Sequence, residues 1–155
     1  MTDIRAEDID APTMRDAQRL FVTLTTAADS ELTGLMRARA FAVPGAQRLP
    51  RRVRKVVTRY LNSVLAIIYY GKRFDGAEGV NVWLGGRRWA RFQLHRLSGT
   101  SGVRISYDTG ANPKVVRQIV SHVRPLGSGR YLCLMTVRRP AGYRQLLYFT
   151  LEPGP

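Results

Sequence analysis

Four residues between positions 72 and 122 carry side chains that could bind or transform a small molecule. They are Lys72, Tyr107, Asp108 and His122. An amine, a phenol, a carboxylate and an imidazole can orient a polar ligand group or transfer a proton. Asp108 is expected at the end of a strand, where it would pair with Lys72 or with Arg117. The alternative for Asp108 is a salt bridge at the rim or an Asx turn over Thr109-Gly110.

Other sequence motifs indicate little further chemistry. The chain contains no GxxxxGK[ST], GxGxxG or HExxH pattern, which argues against phosphate-loop, dinucleotide and zinc-peptidase sites. His95 and His122 lie on separate segments, and their spacing requires neither a metal nor a haem. The single cysteine, Cys133, lies among apolar residues and is expected to be an inert packing thiol. The sequence therefore predicts no metal site and no cofactor.

From about residue 66 onward the hydrophobic pattern alternates, which is typical of strands. The predicted strands are 66–74, 80–84, 88–97, 102–108, 114–124, 130–138 and 144–152. Short, glycine-rich links between them favour neighbouring antiparallel strands. Apolar residues occupy both faces of the last three strands, so both faces should be covered. A meander of about seven strands closes into a small barrel more readily than it forms a sandwich.

The first part of the chain predicts helices that cover this barrel. Thr13 and Asp16 form a capping-box pattern ahead of the apolar residues Leu20, Phe21 and Leu24. A second helix should begin near Pro50, with an apolar stripe from Val53 to Leu65 that packs on the barrel or its open end.

Length and composition fit one folded domain. The chain has 155 residues, of which 45% are hydrophobic. We expect a flexible acidic N-terminus over 1–12 and a single domain over 13–155, with helices in 13–65 and an antiparallel barrel in 66–153. The fold class is thus α+β, mainly β. Because the N-terminus lacks a signal-peptide pattern and the longest apolar run is far shorter than the roughly 20 residues of a membrane span, we expect a cytoplasmic protein without a transmembrane segment.

Charge is distributed unevenly along the chain. Residues 1–31 carry a net charge of −4, and the remainder carries +18. The densest basic cluster supplies the candidate polyanion-binding residues Arg51, Arg52, Arg54, Lys55 and Arg59. A positive field of this size could attract nucleic acid or an anionic membrane. A solvated basic surface, produced by a general bias towards arginine, is the alternative.

The order of several short motifs resembles that of a known family. These are ELTGLMRARAFAVPG, YYGKRF, SYDTGANPKVVRQIVSHV, GRYLCLMTVRR and LLYFTLEP, which together span about residues 30–153. In this order they resemble the small proteins that are named for a GXWXG motif followed by a DUF4334 domain. In Gly34-Leu35-Met36-Arg37-Ala38 the first glycine is kept, but the tryptophan and the second glycine are replaced. The resemblance implies a lipocalin-like barrel more firmly than it implies an activity.

These observations support three functional hypotheses, of which the first is binding of a small lipophilic molecule in a barrel cavity. The alternative is an enzyme, a cofactor-free cyclase or isomerase that acts on a polyketide, terpenoid or acyl substrate in the same cavity. The third is binding of nucleic acid or an anionic membrane through the basic helix, with Trp83, Trp89 and Tyr60 as stacking groups. Uncovered apolar strand faces would suit a homodimer. The candidate ligand-binding residues are Lys72, Phe74, Trp89, Tyr107, Asp108, Arg117, His122, Tyr131, Met135 and Phe149.

Overall fold

A computed structural model describes residues 12–24, 32–97 and 102–154 of the chain. Its eight antiparallel strands form a closed barrel in which each strand pairs with its neighbours in the chain and β1 pairs with β8. The strands are β1 (Gly34–Ala42), β2 (Tyr69–Asp75), β3 (Glu78–Trp83), β4 (Arg88–Arg96), β5 (Val103–Ser106), β6 (Ile119–Gly127), β7 (Arg130–Arg139) and β8 (Gly142–Pro153). The helices are α1 (Met14–Thr23) and α2 (Arg51–Ile68), with 3-10 turns at Ala46–Arg48, Leu84–Gly86 and Val116–Gln118. A mainly β fold with helices against an antiparallel barrel is thereby confirmed.

The predicted number of strands was one too few, because β1 lies in the part of the chain assigned to helices. Its inward residues are Met36, Ala38 and Ala40, and arginines alternate with them on the outer face. Small alanines give a strand little hydrophobic contrast, so the period of two is hard to detect in this segment. The assignment of 13–65 to helices alone is therefore wrong over β1.

Two strands begin later in the structure than the sequence predicted. The strand predicted from residue 114 begins at Ile119, because a turn and a short 3-10 helix follow Pro113. The strand predicted from residue 66 begins at Tyr69, because α2 continues to Ile68. A run of apolar residues at the end of an amphipathic helix fits both the period of a helix and the period of a strand. The sequence pattern therefore started this strand three residues too early.

Irregularities in the strand pairing determine which side chains enter the barrel. The pairing between β2 and β3 shifts by one residue between Tyr69 and Gly71, and this bulge allows both Tyr69 and Lys72 to face inward. A second shift, between β3 and β4, lies beside Ala90, which has a positive φ of 61°. The side chain of Asn112 stabilises this region by donating to the backbone oxygens of Arg91 (2.6 Å) and Tyr107 (2.8 Å).

Helix α1 covers part of the outer face of the barrel, as the sequence predicted. The capping box is present: Asp16 N donates to the Thr13 hydroxyl at 3.1 Å, and Thr13 N donates to the Asp16 carboxylate at 3.0 Å. The Thr13 hydroxyl, which donates to the Asp16 carboxylate at 2.7 Å, and then Thr13 N lower the pKa of Asp16. The helix packs Ala17, Leu20 and Phe21 against outward residues of β1, β6, β7 and β8, which are Phe41, Ala42, Leu126, Leu132, Leu134 and Tyr148. Both faces of these strands are therefore covered where α1 lies.

Helix α2 lies across one end of the barrel. The Asn62 side chain accepts from Ala40 N at 2.7 Å and donates to Ala40 O at 3.1 Å, which attaches the helix to the end of β1. Leu61 and Leu65 face the barrel interior. Val64 is half-buried, but the first half of the predicted apolar stripe is not covered, since Val56 is 67% exposed and Tyr60 is 72% exposed. Within the described ranges of the chain, no helix is long and apolar enough to cross a membrane.

Closure of the barrel beside Lys72 requires a glycine at position 71. A Cβ atom placed there would lie 1.9 Å from the carbonyl oxygen of Met36, and the φ of Gly71 is +148°. Gly71→Ala is therefore expected to lower the free energy of unfolding by about 3 kcal/mol, which would lower the Tm by about 10 °C in a domain of this size. Thermal and urea unfolding would measure the change.

Gly110→Ala is the matched control, because a Cβ atom at Gly110 meets nothing within 4 Å. We expect its stability to equal that of the wild type or to exceed it slightly. Equal Tm values for the two variants would contradict the close approach of β1 and β2.

Candidate functional site: a cavity inside the barrel

The interior of the barrel has a filled half and an open half. In the filled half, large side chains pack together, among them Phe74, Phe92, Ile105, Tyr131 and Leu151. The open half lies beneath α2 and contains a cavity of about 500 Å³. Small inward residues on β1 and β4, including Ala38 and Ala90, leave this space unfilled.

The wall of the cavity is almost entirely apolar. It is formed by side chains from several strands and from α2, including Leu61, Leu65, Ile119, Met135, Leu147 and Phe149. Its polar residues are Tyr69, Lys72, Asn81, Tyr107 and Arg39, and the side chain of Arg39 lies on the outer face beside Glu152. Four of these five meet in one cluster at the floor of the cavity, so a bound molecule would meet polar groups mainly at one point.

Lys72 is the centre of this polar cluster and is only 1% exposed. Its Nζ donates to Asn81 Oδ1 at 2.7 Å and to the hydroxyl of Tyr107. The hydroxyls of Tyr69 and Tyr107 also donate to Asn81 Oδ1, at 3.1 Å and 3.2 Å. Lys72 and Asn81 are direct partners across β2 and β3, which places the two side chains together on the inner face.

Aromatic rings surround the same ammonium group. Lys72 Nζ lies 5.1 Å from the ring centroid of Tyr107, 5.3 Å from that of Phe92, 5.6 Å from that of Phe149 and 6.0 Å from that of Tyr69. Ring faces attract a cation, and the attraction is stronger where water is excluded. The aromatic residues therefore stabilise a charge that the apolar wall alone would oppose.

The charge state of the cluster follows from opposing effects on the pKa of Lys72. Burial lowers this pKa, but attraction and hydrogen bonding to the oxygens of Tyr107 and Tyr69 outweigh it, so the pKa lies above its ordinary value. Burial raises the pKa of Tyr69 to about 12. The hydrogen bond to Asn81 and the surrounding ring faces favour the ammonium form of Lys72, and burial favours the neutral phenol form of Tyr69. Within the part of the chain that the structure describes, no carboxylate pairs with Lys72.

The structure divides the predicted ligand-binding residues into three groups. Lys72, Trp89, Tyr107, Met135 and Phe149 line the cavity. Phe74 and Tyr131 also face inward, but they belong to the filled half of the barrel. Asp108, Arg117 and His122 lie outside the cavity.

Asp108 forms an ion pair at the rim instead of entering the barrel. Its carboxylate accepts from Arg117 Nε at 2.8 Å, and Arg138 Nη1 lies 3.7 Å from it. All three side chains are more than a third exposed, so the pairing is weak and solvated. Of the two partners predicted for Asp108, the structure thus shows Arg117 and not Lys72, and the alternative of a salt bridge at the rim is confirmed.

His122 faces outward because its neighbour in β6, Ser121, faces inward. The His122 ring contacts that of Tyr143, with 6.5 Å between centroids. Burial, followed by the charges of Arg104 and Arg124, lowers the pKa of His122, so the imidazole is neutral near pH 7.

His95, the other histidine of the chain, is exposed on β4. The described residues include no group of three or more His, Cys, Asp or Glu side chains that could hold a metal ion.

The cavity residues that the prediction missed include three inward side chains with polar atoms, Asn81, Tyr69 and Trp83. Asn81 was missed because a polar residue between two valines is expected on the outer face of a strand. Tyr69 was missed because a bulge changes its direction, and bulges have no reliable signal in a single sequence. Trp83, proposed for nucleic-acid stacking, lines the cavity instead, and its Nε1 is buried without a hydrogen-bond partner in the described part of the chain.

The predicted polyanion-binding residues all lie on α2. Arg51, Arg52, Lys55 and Arg59 are exposed, and Arg54 is partly buried with its guanidinium donating to Leu49 O at 2.7 Å. Because Trp83 lies inside the barrel, it cannot join Tyr60 of α2 in a stacking surface for nucleic acid. Of the three proposed stacking residues, Tyr60 lies exposed on the basic helix, Trp89 is half exposed on β4, and Trp83 is withdrawn into the cavity.

Fold and site together define an eight-stranded antiparallel barrel with an internal apolar cavity and one buried cation. Comparison with known proteins adds no assignment, since no protein-family model and no curated protein matches the chain. A similar solved structure is that of a protein from Thermomonospora curvata, which is 19% identical. The similarity covers 89% of this chain and 85% of that one, with a TM-score of 0.49. This likeness carries no argument about function.

The single thiol of the chain reports on the filled half of the barrel. Cys133 is fully buried, and burial raises its pKa, so the reactive thiolate is suppressed. We expect the folded protein to resist iodoacetamide at pH 8 and the guanidinium-unfolded protein to be labelled fully, as measured by intact mass.

A matched control places a thiol on the surface. Ser63→Cys in a Cys133→Ala background has its thiol at an exposed position of α2 and should be labelled rapidly while folded. Labelling of native Cys133 at a comparable rate would show that this half of the barrel is not packed.

Proposed function

We propose that the protein binds a small lipophilic molecule in the cavity of its barrel. The observation that carries this proposal is an apolar cavity of about 500 Å³ whose polar side chains converge mainly at one point. Ligand sites for small molecules are typically roughly 300–1,000 Å³ in volume, with apolar walls and a few polar groups that fix orientation. The size and the arrangement of this cavity both fit that description.

Binding is better supported than catalysis by proton transfer in the same cavity. Among the described residues that line it there is no carboxylate and no imidazole, so a general base with a pKa near neutrality is missing. The paired Lys72 and Tyr107 could stabilise a developing oxyanion, which is what an isomerase or cyclase would need from them. A catalytic role would thus depend on oxyanion stabilisation and shape alone.

Resemblance to the GXWXG and DUF4334 proteins stays a prediction beside this proposal. The altered motif, residues 34–38, forms the first half of β1, where Met36 and Ala38 face the barrel interior. A lipocalin-like role would be in keeping with a ligand held inside the barrel. Membership of this family is thus a part of the proposal.

Filling the cavity is expected to weaken binding of a neutral lipophilic dye. Ala38→Phe places a ring in the open half, and Leu147→Trp does so from β8. Each should raise the Kd for Nile red by about tenfold or more, which corresponds to ~1.4 kcal/mol. The dye's fluorescence, titrated against each protein, measures the affinity.

Val22→Phe is the control for this experiment, because Val22 is exposed on α1 and far from the cavity lining. Thermal unfolding would establish that every variant is folded. Failure of the wild type to bind the dye, or equal affinity in all folded variants, would refute binding in this cavity.

A second candidate function is docking on an anionic membrane through α2, which its exposed apolar face favours. That face includes Val53, Val56, Val57, Tyr60, Ile67 and Ile68. Residues 32–74 contain no acid, and Arg52 and Arg59 are exposed beside the apolar face. A second copy of the chain would bring like charges together, whereas anionic lipid complements both the charge and the apolar face. We therefore commit to a lipid surface as the partner of α2.

Vesicle co-sedimentation tests this second candidate. The wild type should bind vesicles of phosphatidylcholine with phosphatidylglycerol and should not bind phosphatidylcholine alone. Val56→Glu should weaken binding by about tenfold, because burial of one valine side chain is worth ~1.5–3 kcal/mol. Sedimentation velocity of the same samples would measure the oligomeric state.

Val115→Glu is the matched control, since Val115 is 71% exposed outside α2 and the charge change is identical. Its vesicle binding should equal that of the wild type. Equal losses in both variants, or a homodimer that Val56→Glu dissociates, would overturn docking of α2 on lipid.

A further inference from the structure

The barrel holds one positive charge in its interior without an ionic partner from the described part of the chain. The hydrogen-bond partners of Lys72 are the amide oxygen of Asn81 and the hydroxyl of Tyr107, and neither partner is a carboxylate. Hydrogen bonds between neutral and charged groups are weaker than those between two ions. A buried charge is costly unless it is paired, so the interior favours the arrival of one negative charge.

The acceptors around Lys72 include no carboxylate among the described residues. An ammonium has three hydrogens to donate, and two are used by Asn81 and Tyr107. The hydroxyl of Tyr69 also interacts with the ammonium as a hydrogen-bond partner. Lys72 belongs to the lining of the cavity, so a bound carboxylate can replace this hydroxyl as the stronger acceptor.

The apolar wall restricts what kind of anion can bind. Leu61, Leu65, Met135 and Leu147 offer no polar atom to a ligand, so all of the ligand except one group must be apolar. A phosphate carries nearly two charges and three strong acceptor oxygens, which would need more donors than one ammonium supplies. A carboxylate carries one charge and matches one cation.

We infer that the ligand of the cavity is a lipophilic carboxylate whose carboxylate group binds Lys72 and whose apolar part lies against the cavity wall. This inference rests on the proposed function, because it names the class of molecule that the same cavity takes. The cavity floor fixes the head group and the mouth beneath α2 admits the chain. Aromatic faces around Lys72 keep the ammonium in place when the cavity is empty.

Displacement of Nile red by matched ligands tests the inference. Dodecanoate, methyl dodecanoate and dodecylamine have the same apolar chain and differ in the charge of the head group. For the wild type at pH 7 we expect dodecanoate to displace the dye at a concentration about tenfold to a hundredfold lower than the ester, the range expected for a hydrogen bond to a charged group. Dodecylamine should be the weakest of the three, because its charge repels that of Lys72.

The preference for the carboxylate should disappear in Lys72→Met, which keeps the apolar stem and removes the charge. Lys114→Met is the matched control, because Lys114 is exposed on the loop before β6 and the change in net charge is identical. We expect Lys114→Met to keep the full preference. Thermal unfolding and Nile red binding would establish that both variants are folded and retain the cavity.

The outcomes separate this inference from the proposed function. Binding of Nile red together with equal displacement by acid and ester would overturn the inference and leave the proposed function standing. Absence of dye binding and of displacement by any of the three compounds would overturn both. A preference that survives in Lys72→Met, or that falls equally in Lys114→Met, would overturn the assignment of the carboxylate to Lys72.

Discussion

Pairing of β1 with both β2 and β8 is the constraint on which the rest of the structure depends. It hydrogen-bonds the two strands that would otherwise be sheet edges, and it separates the barrel interior from solvent. The pairing is possible because Gly71 has no side chain where the Met36 carbonyl approaches. Met36 and Lys72 are direct partners in the same pairing. The strand pairing that closes the barrel therefore also buries Lys72.

Side-chain volume then decides which half of the barrel stays open. An eight-stranded barrel is just wide enough for its own side chains to fill it or for one small ligand to occupy it. Phe74 and Phe92 contact each other edge to face in the filled half, whereas Ala38 and Ala90 leave room in the other. Lys72 lies where the two halves meet, with aromatic rings around it and the cavity above. The position of the charge thus follows from the packing that creates the cavity.

Much of the fold could be predicted from the sequence, because strand alternation, glycine-rich turns and the Thr13–Asp16 capping box are local patterns. The first strand could not, since alanines on its inner face give little contrast with its surroundings. Of the candidate site, Lys72 and Tyr107 were identified, but the sequence left open whether Asp108 pairs with Lys72 or with Arg117 at the rim, and the structure shows Arg117. Side-chain direction near bulges and strand ends depends on pairing register, which long-range contacts determine and a single sequence does not display.

A crystal structure of the protein grown with dodecanoate would test most directly whether the cavity binds a lipophilic carboxylate. We expect a carboxylate oxygen at roughly 2.7–2.9 Å from Lys72 Nζ, the usual length of a hydrogen bond between an ammonium and a carboxylate. The apolar chain should extend past Met135 towards Leu61 and Leu65 of α2. A carboxylate that points out of the mouth, or a barrel whose open half is filled by its own side chains, would contradict this account.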